Sequence, residues 1–346
     1  MQFLRFTLFP FALLFGIITG IRNFFFDTGL FKSHKPGIPV IGVGNLSVGG
    51  TGKSTMVEYL VRLLRGKKSC ATLSRGYKRK TKGFVEASLQ SGISEVGDEP
   101  RQFKQKFPDI VVAVCEDRAT GVNLLREKHP LLQCVILDDA FQHRKIKPGL
   151  QIMLTEYRRP YFKDFVFPVG NLREWRSGKK RADIIVVTKC PKNISPVEQE
   201  KIINRINPRK DQKVFFSYLK YSQLLSFDTH KPIPSDPSTS VLLVTGIANP
   251  EPLAGYLRRV FRHVAHLEFE DHKYFDEPEF DKIRGRFNAL GGAKKIIITT
   301  EKDAARMEHP GFKNLPVYYL PIECSFVSKE EEFNQLVLDF SNYKKP

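Results

Sequence analysis

The sequence predicts an α/β protein: a mainly parallel sheet flanked by helices, followed by a second, smaller α/β domain and preceded by an apolar membrane-associating helix. Three observations predict it. From Pro39 onward short β-branched runs alternate with helical patterns, as in parallel sheets whose crossovers are helices. A Pro/Ser-rich stretch, THKPIPSDPSTS at 229–240, interrupts the alternation, which then resumes. An uncharged run of 16 residues, FTLFPFALLFGIITGI, lies between Arg5 and Arg22.

That run is shorter than the ~20 apolar residues of a spanning helix and carries Pro10, Gly16 and Gly20. It reads first as a helix lying in a membrane interface, with Arg22, Lys32 and Lys35 near headgroups; a helix packed on the core and a true span stay open. No convincing small-residue cleavage site follows it, against a signal peptide.

The expected strands are PVIGV (39–43), CATLS (70–74), IVVAV (110–114), CVILD (134–138), QIMLT (151–155) and DIIVVT (183–188), with helices at 53–65, 119–128 and 196–207. KVFFSYLKYSQLLSF (213–227) reads as one or two strands. After the break come SVLLVT (240–245), helices at 250–260 and 277–290, KIIITT (295–300) and VYYL (317–320). The expected domains are 1–36, 37–228 and 229–346.

Composition narrows the function. The chain has 346 residues, enough for two domains of ~150. With 55 basic and 37 acidic residues the net charge is +18, which points to an anionic partner: phosphate, nucleic acid or an acidic membrane. A mean hydropathy of -0.28 excludes a polytopic membrane protein. The 5 cysteines are odd in number and far apart, and four of them sit in strand-like apolar contexts. They read as buried thiols of a reducing compartment.

The segment PVIGVGNLSVGGTGKSTMVEYLVRLLR runs strand, glycine-rich loop, helix. This is the context of a phosphate-binding P-loop. Gly49, Gly50, Thr51, Gly52, Lys53, Ser54 and Thr55 form the nucleotide cradle: backbone N–H groups surround phosphate oxygens, Lys53 reaches the β/γ phosphates and Ser54 ligates Mg²⁺. Ser47 stands where the strict motif has its leading glycine. In CVILDDAFQHR, Asp138 and Asp139 follow an apolar strand and would emerge beside the metal. Spacing gives His263, His266 and His272 no zinc site.

In order along the chain, GIRNFFFDTGLF, VGNLSVGGTGKS, LSRGY, VGDEP, EDR, LDDAFQHR, PVGNLRE, RADIIVVTK, TGIANP, FEDHKYF and TTEKDA closely resemble the tetraacyldisaccharide 4′-kinase family of Gram-negative bacteria. The resemblance implies transfer of the ATP γ-phosphate, with Mg²⁺, to the 4′-hydroxyl of a tetraacylated glucosamine disaccharide 1-phosphate in lipid A biosynthesis. The expected partners are this acylated disaccharide phospholipid and the cytoplasmic face of the inner membrane, with no nucleic acid, and the expected state is a monomer. Asp98 in VGDEP matches the family's catalytic aspartate, on a loop by its flanking Gly97 and Pro100, and His272 the histidine that pairs with it. Lys273 stands where the family more often has a second histidine. Arg173 and Glu174 look like substrate or phosphate contacts, and Arg75, Arg118, Gln142 and His143 are further candidates.

The basic runs agree. Arg65 to Lys82 holds eight basic residues and no acid; Arg144 to Arg181 holds eleven against Glu156, Asp164 and Glu174. The alternative is a membrane-associated P-loop nucleotide switch without lipid kinase activity, which would need neither Asp98 nor His272. A nucleic-acid ATPase would need a binding module that is not legible.

Overall fold

The computed structural model describes residues 7–271, 273–307 and 309–342. The chain divides into two units, residues 1–219 with 324–346, and residues 220–323.

In chain order the first unit contains helix α1 (Phe9–Asp27), β1 (Val40–Asn45), α2 (Lys53–Leu64), β2 (Cys70–Ser74), β3 (Val85–Glu86), α3 (Ile93–Val96), α4 (Asp98–Lys106), β4 (Val111–Val114), α5 (Arg118–Lys128), β5 (Cys134–Asp138), β6 (Leu150–Glu156), β7 (Ile184–Thr188), α6 (Pro196–Ile206) and β8 (Lys213–Tyr221). The chain continues through β9 (Leu224–Ser226), β10 (Pro232–Ile233), β11 (Ser240–Thr245), α7 (Glu251–Val260), β12 (His263–Glu268), α8 (Glu277–Asn288), β13 (Lys295–Thr300), α9 (Glu301–Ala304) and β14 (Val317–Leu320). It ends with β15 (Ile322–Phe326) and α10 (Glu330–Asn342).

The first sheet has nine strands among the described residues, in the order β15-β8-β7-β6-β1-β5-β2-β4-β3. The strands from β8 to β4 run parallel; β3 pairs antiparallel with β4. β1 lies between β5 and β6, so the chain leaves it toward β2 and β4, then crosses back to β6 and β7. This is the switch point at which ligands bind in open α/β sheets.

Period-two alternation explains why the central strands are apolar throughout. Ile41, Val43, Cys134 and Ile136 face one layer with Met56, Val57, Leu60, Val61 and Leu64 of α2. Val40, Ala71, Leu73, Val135 and Leu137 face the other with Val122 and Leu125 of α5. All five cysteines are buried free thiols, and burial pushes Cys134 up to about 12, so they behave as small apolar side chains.

The second unit holds a sheet ordered β10-β9-β14-β13-β11-β12, in which β14, β13, β11 and β12 are parallel. Val241 and Leu243 face Leu253, Ala254 and Leu257 of α7; Leu242 and Val244 face Phe280, Ile283 and Phe287 of α8.

Two expectations are corrected. The second unit begins at Lys220 and ends at Glu323, not at 229 and 346. The chain end returns to the first unit because Phe326, Phe333 and Val337 pack with Phe215, and Glu330 and Asn334 bond the Tyr59 hydroxyl at 2.9 and 2.7 Å. Asp98 opens helix α4 rather than lying in a loop; Pro100 falls in the first turn, where its missing N–H costs no helical bond. Among the described residues, 7–36 fall within the first unit. There Gly16 and Gly20 of α1 admit Trp175 so closely that a Cβ on Gly16 would lie 2.4 Å from its ring.

Candidate active site

β1 ends in Asn45, and the chain then turns through Gly49 and Gly52, whose φ of 110° and 86° lie in the left-handed region that favours glycine. α2 begins at Lys53, so the free N–H groups of its first turn face the loop. The loop is braced from three directions. Asn45, with no exposed surface, donates through Nδ2 to Thr51 Oγ1 at 2.8 Å and accepts from Lys53 Nζ at 3.5 Å. Thr188, at the end of β7, donates to Thr51 O at 2.8 Å, and Lys189 donates to Gly50 O. Asn171 O accepts from Val48 N, and Arg173 N donates to Leu46 O, each at 2.7 Å. Thr55 closes the helix start by donating to Gly52 O at 2.8 Å.

The last pairing carries Arg173 to the acids. Its Nη1 donates to both carboxylate oxygens of Asp139, at 2.9 and 3.1 Å, and to Gln142 Oε1 at 3.3 Å; Lys53 Nζ lies 3.7 Å from Asp139. Burial pushes the Asp139 carboxyl upward, but Lys53 and Arg173 outweigh it and hold the group below its usual range. Asp139 is therefore an anion at neutral pH. Asp138 ends β5 and is buried, with a small cavity of about 10 Å³ between it, Glu99, Thr72 and Ser74.

Asp98 follows Gly97, whose φ is 94°, and its Oδ1 accepts from Glu99 N at 2.9 Å. Ser54 Oγ donates to Glu99 Oε1 at 2.8 Å. The start of α4 is thereby tied to the start of α2, one residue from Asp98.

Glu174 is 2% exposed and accepts from Arg181 at 2.7 Å, Gln142 Nε2 at 3.0 Å and Asn23 Nδ2 at 2.6 Å. Gln142 also donates to Asn45 O at 2.9 Å, and its own carbonyl accepts from Arg22. Helix α1 thus reaches the loop through Asn23, Glu174, Gln142 and Asn45. Arg118 is buried at the start of α5, donating to Cys115 O at 2.9 Å and Glu116 O at 3.0 Å; burial lowers its pKa against the pull of Asp138 and Asp139. His143 Nε2 accepts from Arg118 N at 3.3 Å, and burial together with the Arg118 charge lowers it to about 4, so the ring is neutral. Arg75 is exposed just past β2, at the same edge of the sheet.

The structure therefore gathers Lys53, Ser54, Asp98, Asp138, Asp139, Gln142, His143, Arg173, Glu174 and Arg118 at the C-terminal edge of one sheet. His272 lies outside the described residues. Sequence reasoning missed Asn45, Glu99 and Asn23 as site-shaping residues. All three lie in quoted motifs, and an asparagine closing the strand before a phosphate loop was a usable signal.

Among the described residues no three His, Cys, Asp or Glu side chains form a metal cluster. Magnesium needs none, because it takes one or two carboxylates with water and phosphate oxygens. The oxygen-only donors at Ser54, Asp138, Asp139 and Glu99 match that hard cation.

The chain matches the family described as tetraacyldisaccharide-1-P 4′-kinase over residues 4–342. It is 46% identical to the tetraacyldisaccharide 4′-kinase of Flavobacterium johnsoniae, covering 98% of each chain. It is 42% identical to that of Bacteroides thetaiotaomicron, covering 96% of this chain and 92% of the relative. Among solved structures it is similar to the "apo" form of LpxK from Aquifex aeolicus in complex with ATP. The TM-score is 0.78 and the identity 31%, with 97% of this chain and 99% of that one covered.

Proposed function

The chain belongs to the tetraacyldisaccharide-1-P 4′-kinase family, and on that premise we propose that it transfers the γ-phosphoryl group of ATP to the 4′-hydroxyl of a tetraacylated glucosamine disaccharide 1-phosphate, a lipid A precursor. The observation that supports this reading is the Ser54–Glu99 bond, which ties the phosphate-loop helix to the residue after Asp98. A nucleotide switch has no use for a carboxylate there and is not favoured.

The loop N–H groups of Gly49 to Ser54, with Lys53, hold the triphosphate. Asp98 accepts the 4′-hydroxyl proton as the sugar oxygen bonds to the γ-phosphorus and the bond to the β-phosphate oxygen breaks. The family resemblance gives His272 the task of making Asp98 a better base. Arg173, fixed by Asp139 and Gln142, carries a second cation toward the transferring group, while Arg118 and Arg75 add positive field for the substrate's phosphate. Gln142, His143 and Glu174 hold this frame in position. Ser54, Asp138 and Asp139 are the residues to hold Mg²⁺, which neutralises charge on the β- and γ-phosphate oxygens when bound.

The site is proposed to work at the cytoplasmic face of the inner membrane. α1 supports the membrane part of this reading, because it is apolar and only 11% of its 18-residue apolar window is buried. Incubation with ATP and the tetraacyl disaccharide 1-phosphate tests the function: mass spectrometry should find one added phosphate on the non-reducing sugar. ADP formation without a phosphorylated lipid would overturn it.

A further inference from the structure

We propose that the segment 164–176 is a second lipid-inserting element, seating Phe165, Phe167 and Trp175 in an anionic phospholipid bilayer beside α1. The inference rests on the membrane reading above and goes beyond it, because it assigns bilayer contact to residues outside the apolar amino terminus.

The loop is built to turn its aromatics outward. Leu172 N donates to Phe165 O and Phe167 N donates to Leu172 O, both at 2.9 Å. Val166 and Leu172 point inward and are buried with Met153 and Ile185. Alternation then puts Phe165 and Phe167 outside, 46% and 53% exposed, with Trp175 at 41%. Val166 and Leu172 anchor the loop in the core, while Phe165 and Phe167 keep about half of their surface exposed. Asp164 fixes the loop base, accepting from Phe165 N at 2.8 Å and Asn171 N at 3.2 Å.

These rings are continuous with the apolar face of α1. Phe167 meets Phe15 edge-on at 6.0 Å between centroids, and Trp175 lies against Gly16 and Gly20. On α1, Leu13, Leu14, Ile17, Ile18 and Ile21 are exposed alongside. Exposed aromatic and aliphatic side chains grouped on two contacting elements mark an interaction site. Positive charge points to the partner: the Arg176 guanidinium covers the Phe165 ring at 5.6 Å, and the flanking sequence carries exposed Arg158, Arg159, Lys163 and Lys180. Aromatic residues at headgroup depth with cations beside them suit an anionic bilayer interface.

The placement has a consequence for catalysis. Residues 171 and 173 of this loop bond the backbone at Val48 and Leu46, ahead of the phosphate loop. A bilayer holding Phe165 and Phe167 therefore presents its headgroup layer to the side of the protein on which Arg173 reaches Asp139.

The chain contains one tryptophan, and Trp175 lies where this element meets α1, so its emission reports bilayer contact there and the phenylalanine variants separate the element from α1. The full-length protein is mixed with phosphatidylglycerol/phosphatidylcholine vesicles, with and without lipids brominated on the acyl chain. We expect a blue shift of Trp175 emission, quenching by the brominated lipid, and weaker effects on phosphatidylcholine alone. Phe165→Ser with Phe167→Ser should weaken vesicle partitioning roughly tenfold or more while leaving ATP affinity unchanged, and Phe165→Leu with Phe167→Leu should restore it. Co-sedimentation without quenching of Trp175, or serine variants that bind as tightly as the parent, overturns the proposal while leaving anchoring by α1 intact. Failure of the parent to sediment with any vesicle overturns both.

Discussion

Asn45→Ala removes the side chain that joins Thr51 to Lys53 across the phosphate loop. The site has no exposed surface, so water cannot replace the lost group. The 2.8 Å bond to Thr51 is worth about 1 kcal/mol net, and leaving the buried Thr51 hydroxyl with a weaker partner adds about as much again. The 3.5 Å contact to Lys53 adds little, because Lys53 keeps Asp139 at 3.7 Å. The total is about 2 kcal/mol. If it falls on the loop conformation that binds ATP, affinity drops about 30-fold. If the apo loop also loses order, the first unit melts earlier by roughly 4–8 °C. Titration calorimetry with ATP and thermal melts separate the two. A double-mutant cycle with Thr51→Val should return a coupling of about 1 kcal/mol. An Asn45→Ala variant with parental ATP affinity and melting temperature would refute the claim that this asparagine braces the loop.

Three further outcomes are expected. Gly16→Ala sets a helix-propensity gain of ~1 kcal/mol against overpacking of ~1–3 kcal/mol, since the new Cβ would lie 2.4 and 2.7 Å from rigid Trp175 ring atoms. The clash wins, so α1 should loosen and become cleavable by protease at a faster rate; unchanged cleavage contradicts the notch. His143 is held neutral in the fold, with a pKa lowered from 6.5 to about 4. The unfolded chain therefore binds the proton first on acidification, and stability present above pH 6.5 should decline toward pH 4; denaturant melts of His143→Gln should lose that part of the slope. Asp98→Ala should reduce turnover severely with ATP affinity largely retained, whereas a large loss of ATP binding would remove its assignment as base.

The parts of the fold legible in the sequence were those with two buried faces. β1, β5 and β7 read as continuous apolar runs because helices cover both sides of the sheet. β12 did not, because it is an edge strand whose HVAHLE is at most half-buried. The return of 324–346 was hidden for a different reason. Pairing of β15 beside β8 is a long-range choice, and nothing local in Phe326 or Phe333 says which core they join. At the site, Lys53, Ser54, Asp138 and Asp139 were readable because phosphate chemistry demands those types at those spacings. Glu174 read as a substrate or phosphate contact, and its burial under Asn23, Gln142 and Arg181 was not legible. Its partners are 151, 32 and 7 residues away in the chain, beyond the reach of any motif.

Phosphoryl transfer to a lipid is expected to depend on both Lys53 and Asp98. The most direct measurement follows label from γ-³²P-ATP into a tetraacyl disaccharide 1-phosphate in mixed micelles, comparing the parent with Lys53→Ala and Asp98→Ala. The parent should label the lipid, and both variants should lose the labelling. ATP hydrolysis with no labelled lipid, or an Asp98→Ala variant as active as the parent, would contradict it.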